Sequence, residues 1–178
     1  MALLSKEEAL AELSEHRRKL LGGEEGCVLC ALANGGAVPA PLVETDHAIV
    51  LLDRFARRRG HLLVVSKVHV ERVSEISPEL FCEVQRLVYE AMQALDAALC
   101  PVQVFTAVLG ATIPVPMSFA HFHAHVIPVY ESDERARPAR VLSWSEGVVV
   151  YDNAEASALR EQILAAWTPH ALGLQNSD

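Results

Sequence analysis

The sequence predicts a single α+β domain built on an antiparallel sheet. The chain has 178 residues, close to the roughly 150 residues typical of one domain, and 51% of them are hydrophobic, so a sizeable core can form. Short apolar segments rich in β-branched residues predict strands, and longer segments with a 3.6-residue period predict helices. These strands and helices are segregated along the chain, which favours an antiparallel sheet over parallel βαβ units.

The N-terminal region is predicted to be one helix followed by a loop. Ser5 and Glu8 have the spacing of a capping box, which predicts that a helix begins there. Two glycines at positions 22 and 23 predict its end near Leu21. Residues 33–41 are rich in glycine, alanine and proline, a composition that predicts a loop.

Two short apolar segments, residues 47–53 and 61–67, predict a hairpin. Both are apolar on each face and rich in β-branched residues, as expected of strands inside a sheet. The connection between them, residues 54–60 (the arginine loop), contains four arginines and ends in glycine, which predicts a long hairpin loop. A solvated turn is the default interpretation of the arginine loop, and contact with additional phosphates or an acidic leaving group is the alternative.

The middle of the chain predicts a long helix and a third strand. The sequence Ser-Pro-Glu at positions 77–79 is typical of the first turn of a helix. Apolar residues then recur with the helical period to about Leu99. Residues 102–109 predict the third strand, and the prolines in residues 110–117 predict a loop.

The most regular strand pattern is residues 119–129, where apolar side chains alternate with histidines. Side chains at i, i+2 and i+4 point to the same side of a strand, so His121, His123 and His125 are predicted to form one polar stripe. The stripe would be about 13 Å long, and the opposite, apolar face is expected to pack on the long helix. Because zinc binds nitrogen at about 2.0–2.1 Å, the three histidines are expected to have different functions.

The C-terminal region predicts a connector, a strand and a helix. Residues 131–140 are highly charged and predict a connector. Residues 147–151 predict a short strand. Asn153 is expected to cap a final helix that ends near Trp167.

Composition and charge exclude several classes of protein. Fifteen Lys and Arg residues against 23 Asp and Glu residues give a formal net charge of −8, which excludes the basic footprint of a nucleic-acid-binding protein. No apolar run approaches the ~18–20 residues that span a membrane, and the N-terminus lacks the features of a secretory signal. We therefore expect a cytoplasmic protein, whose four cysteines are core residues or metal ligands.

The histidine stripe and its context resemble the histidine triad (HIT) family. Residues 121–127 match the family signature, in which three histidines alternate with apolar residues, and the segments upstream follow the family order from about Cys27 to Tyr130. The resemblance implies a HIT-like fold, with an antiparallel sheet of about five strands, a long packing helix and a C-terminal helix. It divides the chain into an N-terminal helix and linker (1–26), a HIT domain (27–130) and a C-terminal extension packed on that domain (131–178).

The resemblance also implies an activity. HIT proteins hydrolyse or transfer nucleotides, from nucleoside phosphoramidates or dinucleoside polyphosphates, through a covalent nucleotidyl-histidine. His123 is implied as the nucleophile, because a neutral imidazole attacks phosphorus well when an acceptor holds its other N–H. His125 would donate to a phosphate oxygen, Asp53 would hold the ribose hydroxyls, and Ser118 would donate to the leaving group.

The chain departs from the family pattern just before the triad. The family usually has Gly-Gln-Ser there, whereas this chain has Pro116-Met117-Ser118. An asparagine that commonly contributes from the preceding loop has no clear counterpart in residues 108–115. This departure motivates a second hypothesis, a nucleotide-binding module without turnover.

A zinc site is implied next to the triad. Cys27 and Cys30 have the spacing of metal ligands, which alone is a weak signal. In zinc-containing HIT proteins two further ligands come from a Lys-x-His sequence and from the first histidine of the triad, here His69 and His121. Such a Cys₂His₂ site is structural and closed, which argues against a third hypothesis, a zinc metallohydrolase. Two buried thiols with an unpaired His69 are the alternative to zinc.

The resemblance finally implies a quaternary structure and a ligand. Family members commonly pair as dimers that extend one sheet across the interface, so a homodimer is expected. The expected partner is a small-molecule nucleotide, with neither nucleic acid nor a membrane.

Overall fold

The computed structural model describes residues 1–23, 25–36, 39–108 and 119–170. Its strands and helices are β1 (Ala2–Leu4), α1 (Lys6–Leu20), α2 (Val28–Ala31), β2 (Val43–Glu44), β3 (Ala48–Leu52), β4 (Leu62–Ser66), α3 (Pro78–Leu99), β5 (Gln103–Val108), β6 (His123–Val129), α4 (Pro138–Val141), β7 (Val148–Val150) and α5 (Asn153–Ala165). The predicted α+β class is confirmed. Among these helices, none is long and apolar enough to cross a membrane.

A five-stranded antiparallel sheet in the order β2-β3-β4-β6-β5 forms the centre of the fold. The hairpin predicted from the two apolar segments is confirmed as β3 and β4, which pair from Ala48 opposite Ser66 to Leu52 opposite Leu62. Strand β6, which carries His123 and His125, lies between β4 and β5. The histidine strand is therefore internal, and its backbone is held from both sides.

The two faces of the sheet have different neighbours. One face packs on α3 and forms the main core, in which Phe122, Ala124 and Val126 are buried together with apolar residues of the helix such as Leu87. Each such fully buried large apolar side chain contributes about 1.5–3 kcal/mol. The opposite face carries a smaller apolar cluster of Leu29, Ala33, Ile49, Leu51, Leu63 and Val65. The odd-numbered histidines of β6 lie on this second face, because they pair with Leu63 and Val65.

A second, two-stranded sheet lies outside the central sheet. Strand β1 pairs antiparallel with β7, from Ala2 opposite Val150 to Leu4 opposite Val148. Helix α1 follows β1 and begins with the predicted capping box of Ser5 and Glu8. A cluster of Ala9, Phe55, Trp144 and Val148 joins this region to the arginine loop. The fifth strand of the central sheet is accordingly the unpredicted β2, and not the segment of β7.

Several predicted boundaries differ from those of the structure. Strand β6 begins at His123 and not at residue 119, because the Phe122 N–H donates to the Val70 carbonyl outside the sheet. The cap of α5 is Asp152, in a reciprocal capping box with Glu155, so Asn153 is the first helical residue. Helix α5 ends at Ala165, before Trp167.

Two segments that were predicted as irregular contain helical turns. The predicted loop begins within a kinked helical turn, Leu32–Gly36, in which Asn34 and Gly35 depart from the helical conformation. The charged connector contains a 3₁₀ turn, Glu134–Ala136, and the short helix α4. The division of the chain after residues 26 and 130 stays a prediction.

Candidate functional site

The middle histidine of the triad is held in the form that suits a nucleophile. His123 is buried on β6, and its Nδ1 lies 2.7 Å from the carbonyl oxygen of His121. Because a carbonyl only accepts, Nδ1 carries the proton and Nε2 carries the lone pair. Burial lowers the pKa of His123, so the imidazole is neutral at pH 7.

The third histidine lies in a buried polar row of side chains. Nδ1 of His125 is 3.1 Å from Nε2 of His61 and 3.4 Å from Nη1 of Arg57. Burial, reinforced by the neighbouring His61 and Arg57, lowers the pKa of His125 to about 2. His125 is therefore uncharged at neutral pH in the protein without a bound ligand.

Asp53, which follows β3, lies at the other end of this row. Its Oδ2 is 2.9 Å from Nδ1 of His61, and its Oδ1 accepts from the Phe55 N–H at 3.0 Å. Burial alone would raise the pKa of the Asp53 carboxyl, but His61 and Arg57 outweigh burial and hold that pKa well below its usual range. Asp53 is thus an ionised acceptor with only 13% of its side chain exposed.

His61 is a site residue that the sequence reasoning missed. It is completely buried immediately before β4, and it joins Asp53 to His125. Burial lowers its pKa, which the Asp53 carboxylate partly opposes. The available signal was a histidine at the start of an otherwise apolar predicted strand, because such a residue needs a buried polar partner.

The arginine loop is not the solvated turn that the sequence suggested. Arg57 and Arg58 are only 7% and 8% exposed. Arg57 Nε donates to the Leu142 carbonyl at 3.0 Å, and Arg58 pairs with Glu131 at 3.0 Å. That default interpretation is wrong for these two arginines, because acceptors in the C-terminal region bury and pair them.

Four potential metal ligands converge beside the triad. Sγ of Cys27 and Sγ of Cys30 lie 3.3 and 3.4 Å from Nδ1 of His121. Nδ1 of His69 lies 3.3 Å from Sγ of Cys30 and 3.2 Å from Nδ1 of His121. Tetrahedral zinc, with bonds of about 2.0–2.3 Å, requires its ligands to be about 3.3–3.8 Å apart. The separations and the chemistry of this donor set therefore fit a zinc ion.

The electrostatics of the two cysteines also suit a metal ligand set. Burial raises the pKa of Cys27, but the neighbouring His121 and the Cys30 backbone N–H outweigh it and lower that pKa to about 6. Burial and the neighbouring Cys27 raise the pKa of Cys30 to about 11. One thiolate is thus favoured at neutral pH, and thiolate is the form that binds metals.

His121 connects the cysteine–histidine cluster to His123. Its Nδ1 faces the cluster, and its Nε2–H donates to the Ser66 carbonyl at 2.7 Å, which fixes the orientation of the ring. Its own carbonyl accepts from His123 Nδ1. The residue that would bind a metal therefore also orients the candidate nucleophile.

One predicted site residue lies outside the part of the chain that the structure describes. Ser118, the candidate donor to the leaving group, falls there together with Pro116 and Met117. The other predicted residues form two adjacent groups. Asp53, His123 and His125 belong to the first, and Cys27, Cys30, His69 and His121 belong to the second.

Comparisons with known proteins add independent information. The HIT domain model matches residues 39–132. An uncharacterized HIT-like protein of Methanocaldococcus jannaschii is 32% identical over 108 residues, which are 60% of this chain and 81% of that protein. An adenosine 5′-monophosphoramidase of Schizosaccharomyces pombe is 27% identical over 103 residues, which are 57% of this chain and 73% of the enzyme.

A solved structure shares the fold. The crystal structure of a zinc-bound histidine triad family protein from Mycobacterium smegmatis superposes with a TM-score of 0.62. The two chains are 24% identical, and the alignment covers 79% of this chain and 94% of the other. This likeness concerns the arrangement of helices and strands.

Proposed function

The chain belongs to the histidine triad (HIT) family, and we propose that it is a nucleotide hydrolase or nucleotidyl transferase that works through a covalent nucleotidyl-histidine. The observation that carries this proposal is the state of His123, which is neutral and whose Nδ1–H is donated to the His121 carbonyl. That arrangement leaves the lone pair of Nε2 available for attack on phosphorus. The substrates we propose are nucleoside phosphoramidates or dinucleoside polyphosphates. The phosphoramidase activity of the S. pombe relative supports the first of these classes.

The proposed reaction has two displacements at the same phosphorus atom. In the first, Nε2 of His123 forms a bond to the α-phosphorus. The bond between phosphorus and the leaving group breaks, and the leaving group keeps the electron pair of that bond. Ser118 would give the leaving group a hydrogen bond or a proton. In the second, water attacks phosphorus, the P–N bond breaks, and the water loses a proton as the nucleoside monophosphate is released. His125 would donate to a phosphate oxygen and stabilise the charge that develops during both steps.

We propose a structural zinc ion for the group of Cys27, Cys30, His69 and His121. The convergence of four ligand atoms within 4.8 Å of one another supports it, as does the zinc-bound M. smegmatis relative. When bound, the ion would fix the positions of its four ligands. His121 would then hold its carbonyl rigidly against His123.

A nucleotide-binding module without turnover is the second candidate function. The observation that favours it is Pro116-Met117 in place of the Gly-Gln that usually precedes the triad. A zinc metallohydrolase that uses the triad would need an ion outside the cysteine–histidine cluster, because that cluster already offers four protein ligands and excludes His123 and His125.

Trapping of the covalent intermediate separates these candidates. The protein would be mixed with a radiolabelled adenosine phosphoramidate, quenched in base and digested. We expect label on the peptide that contains His123, in an acid-labile bond, and no label on a His123→Ala variant. Tight binding of the nucleotide with neither label nor product would favour the binding module.

Ribonucleotides are expected to bind about tenfold more tightly than their 2′-deoxy forms. The two contacts of Asp53 use one lone pair on each carboxylate oxygen, which leaves the others for the ribose hydroxyls. A hydrogen bond to a charged acceptor contributes about 1.5–3 kcal/mol, and 1.4 kcal/mol is about tenfold in affinity. Calorimetric titration of AMP and 2′-deoxy-AMP measures the difference.

The variants Asp53→Asn and Asp46→Asn complete this test. Asp53→Asn should reduce the difference in affinity between AMP and 2′-deoxy-AMP. Asp46→Asn, at an exposed position, should leave that difference unchanged. The ratio of the two affinities isolates the ribose contact, since other effects of the substitution act equally on both nucleotides. Equal binding of the two sugars by the unmodified protein would exclude a ribose role for Asp53.

We also propose a homodimer in the cytoplasm. Within the described residues β5 pairs only with β6. Val102, just before β5, and Val108, its last residue, are exposed, which suits pairing of β5 with a second copy. Sedimentation analysis should give about 39 kDa, twice the chain mass of 19.4 kDa. A zinc site with two cysteine ligands needs reduced thiols, which the cytoplasm maintains.

A further inference from the structure

A buried row of hydrogen-bonded side chains is flanked by one fixed positive charge. The row consists of Asp53, His61 and His125, with contacts of 2.9 and 3.1 Å. The guanidinium of Arg57 lies 3.4 Å from Nδ1 of His125 and 3.8 Å from Oδ2 of Asp53. Its Nε donates to the Leu142 carbonyl, so the C-terminal region holds the charge in this position.

Two arrangements of protons satisfy the short contacts when Asp53 is ionised. In both of them Nδ1–H of His61 donates to Asp53. The Arg57 backbone N–H also lies 3.3 Å from this nitrogen, but the shorter contact with a carboxylate makes Nδ1 a donor. In the neutral arrangement Nδ1–H of His125 donates to Nε2 of His61, and Nε2 of His125 carries a lone pair. In the charged arrangement one further proton is present, at Nε2 of His125, and the proton between the two rings is shared across their 3.1 Å contact.

The charge of Arg57 decides between the two arrangements. A second positive charge on His125 would lie 3.4 Å from the guanidinium nitrogen, in a buried site where water screens charges poorly. Within the described residues, the other titratable groups that act on His125 are His61, His123 and Asp53. The first two are neutral, and Asp53 alone favours the added proton. The neutral arrangement is therefore the one present in the ligand-free protein. A further negative charge close to His125 would favour the charged arrangement.

We propose that Arg57 is a positioning residue that keeps His61 and His125 uncharged until an anionic phosphate binds. This inference rests on the proposed nucleotide chemistry. On binding, one proton passes from solvent to Nε2 of His125, and the new N–H donates to a phosphate oxygen. The proton returns to solvent when the nucleotide leaves. The row to Asp53 stabilises the charge of His125 while the phosphate is bound.

The first test uses the ligand-free protein. Nuclear magnetic resonance of protein with ¹⁵N-labelled histidine distinguishes a protonated from an unprotonated ring nitrogen. For the unmodified protein at pH 7 we expect a protonated Nδ1 and an unprotonated Nε2 on His125. Arg57→Met should increase the proton affinity of the His61–His125 pair tenfold or more, seen as a titration at higher pH.

Two further variants keep the test decisive. Arg58→Met also removes a buried arginine that contacts the C-terminal region, but its charge pairs with Glu131, so it should leave the titration unchanged. Arg57→Lys retains a charge and should titrate like the unmodified protein, and it replaces the methionine variant as the comparison if that variant fails to fold. Three results would overturn the proposal. They are an unchanged titration in Arg57→Met, a titration at higher pH in Arg57→Lys, or a shift in Arg58→Met equal to that in Arg57→Met.

The second test measures the proton taken up on binding. AMP is titrated calorimetrically at pH 8 in buffers with different enthalpies of ionisation, and the dependence of the heat on the buffer gives the number of protons. We expect a net uptake of protons, and no uptake would contradict the inference. If AMP does not bind while the ligand-free histidines behave as expected, the proposed function fails and the role of Arg57 in the resting protein stands.

Discussion

Replacing His123 with alanine is expected to reduce turnover of an adenosine phosphoramidate by about 10³-fold or more, as for other enzymes that lose their nucleophile. The affinity for AMP should change only a few-fold. The reason is that the substitution removes the attacking nitrogen but leaves Asp53, His61 and His125 in place. Steady-state kinetics give the rate, and calorimetry gives the affinity.

The matched control is His47→Ala, at an exposed position before β3. It also removes one imidazole and should retain nearly full activity. Thermal melting of both variants verifies that they are folded. A His123→Ala protein that hydrolyses the phosphoramidate at close to the original rate would show that another group performs the attack.

Replacing Cys27 with serine is expected to remove zinc and to lower the melting temperature by about 10 °C. Structural zinc ions contribute directly to folding free energy. A loss of about 3–5 kcal/mol corresponds to this change, because 1 kcal/mol shifts the melting temperature of a 150–250-residue domain by about 2–4 °C. Elemental analysis of protein purified without chelators should find about one zinc ion per chain before the substitution.

The control for this substitution is Cys82→Ser on α3. Cys82 and Cys100 are exposed and lie outside the cysteine–histidine cluster, so the expectation that all four cysteines are core residues or metal ligands is wrong for these two. The Cys82 substitution should leave both the zinc content and the melting temperature unchanged. A chelator should destabilise the unmodified protein in the same way as the Cys27 substitution. Protein that contains no zinc, with a melting temperature indifferent to chelators, would refute the proposal.

The sequence predicted those parts of the fold in which a local pattern persists over enough residues. Strands β3 and β4 were visible as β-branched apolar segments, and α3 as a long helical period with Ser77 as its cap. Strands β1 and β2 have three and two residues, too few to show a period. They form because β7 and β3 provide backbone hydrogen-bond partners. Pairing through the backbone does not require particular residue types, so the sequence does not indicate it.

The candidate site was predictable where the histidines themselves formed the pattern. His61 was missed because its partner His125 is 64 positions away, and only the register of β4 against β6 brings the two rings together. The burial of Arg57 was missed for a related reason. Its acceptor is a backbone carbonyl 85 positions away. Every residue has such a carbonyl, so the residue types in the sequence do not indicate which one accepts the hydrogen bond.

The pairing of β1 with β7 has a consequence for how the protein is made. Strand β1 leaves the ribosome well before its partner, because the paired residues Leu4 and Val148 are 144 positions apart. At about 5–20 residues per second, β1 waits roughly 7–29 s for its partner. The Leu142 carbonyl that holds Arg57 emerges equally late. A nascent chain can thus complete the central sheet, including β6, before the Leu142 carbonyl that holds Arg57 near His125 has been synthesised, and full activity should appear only after that point.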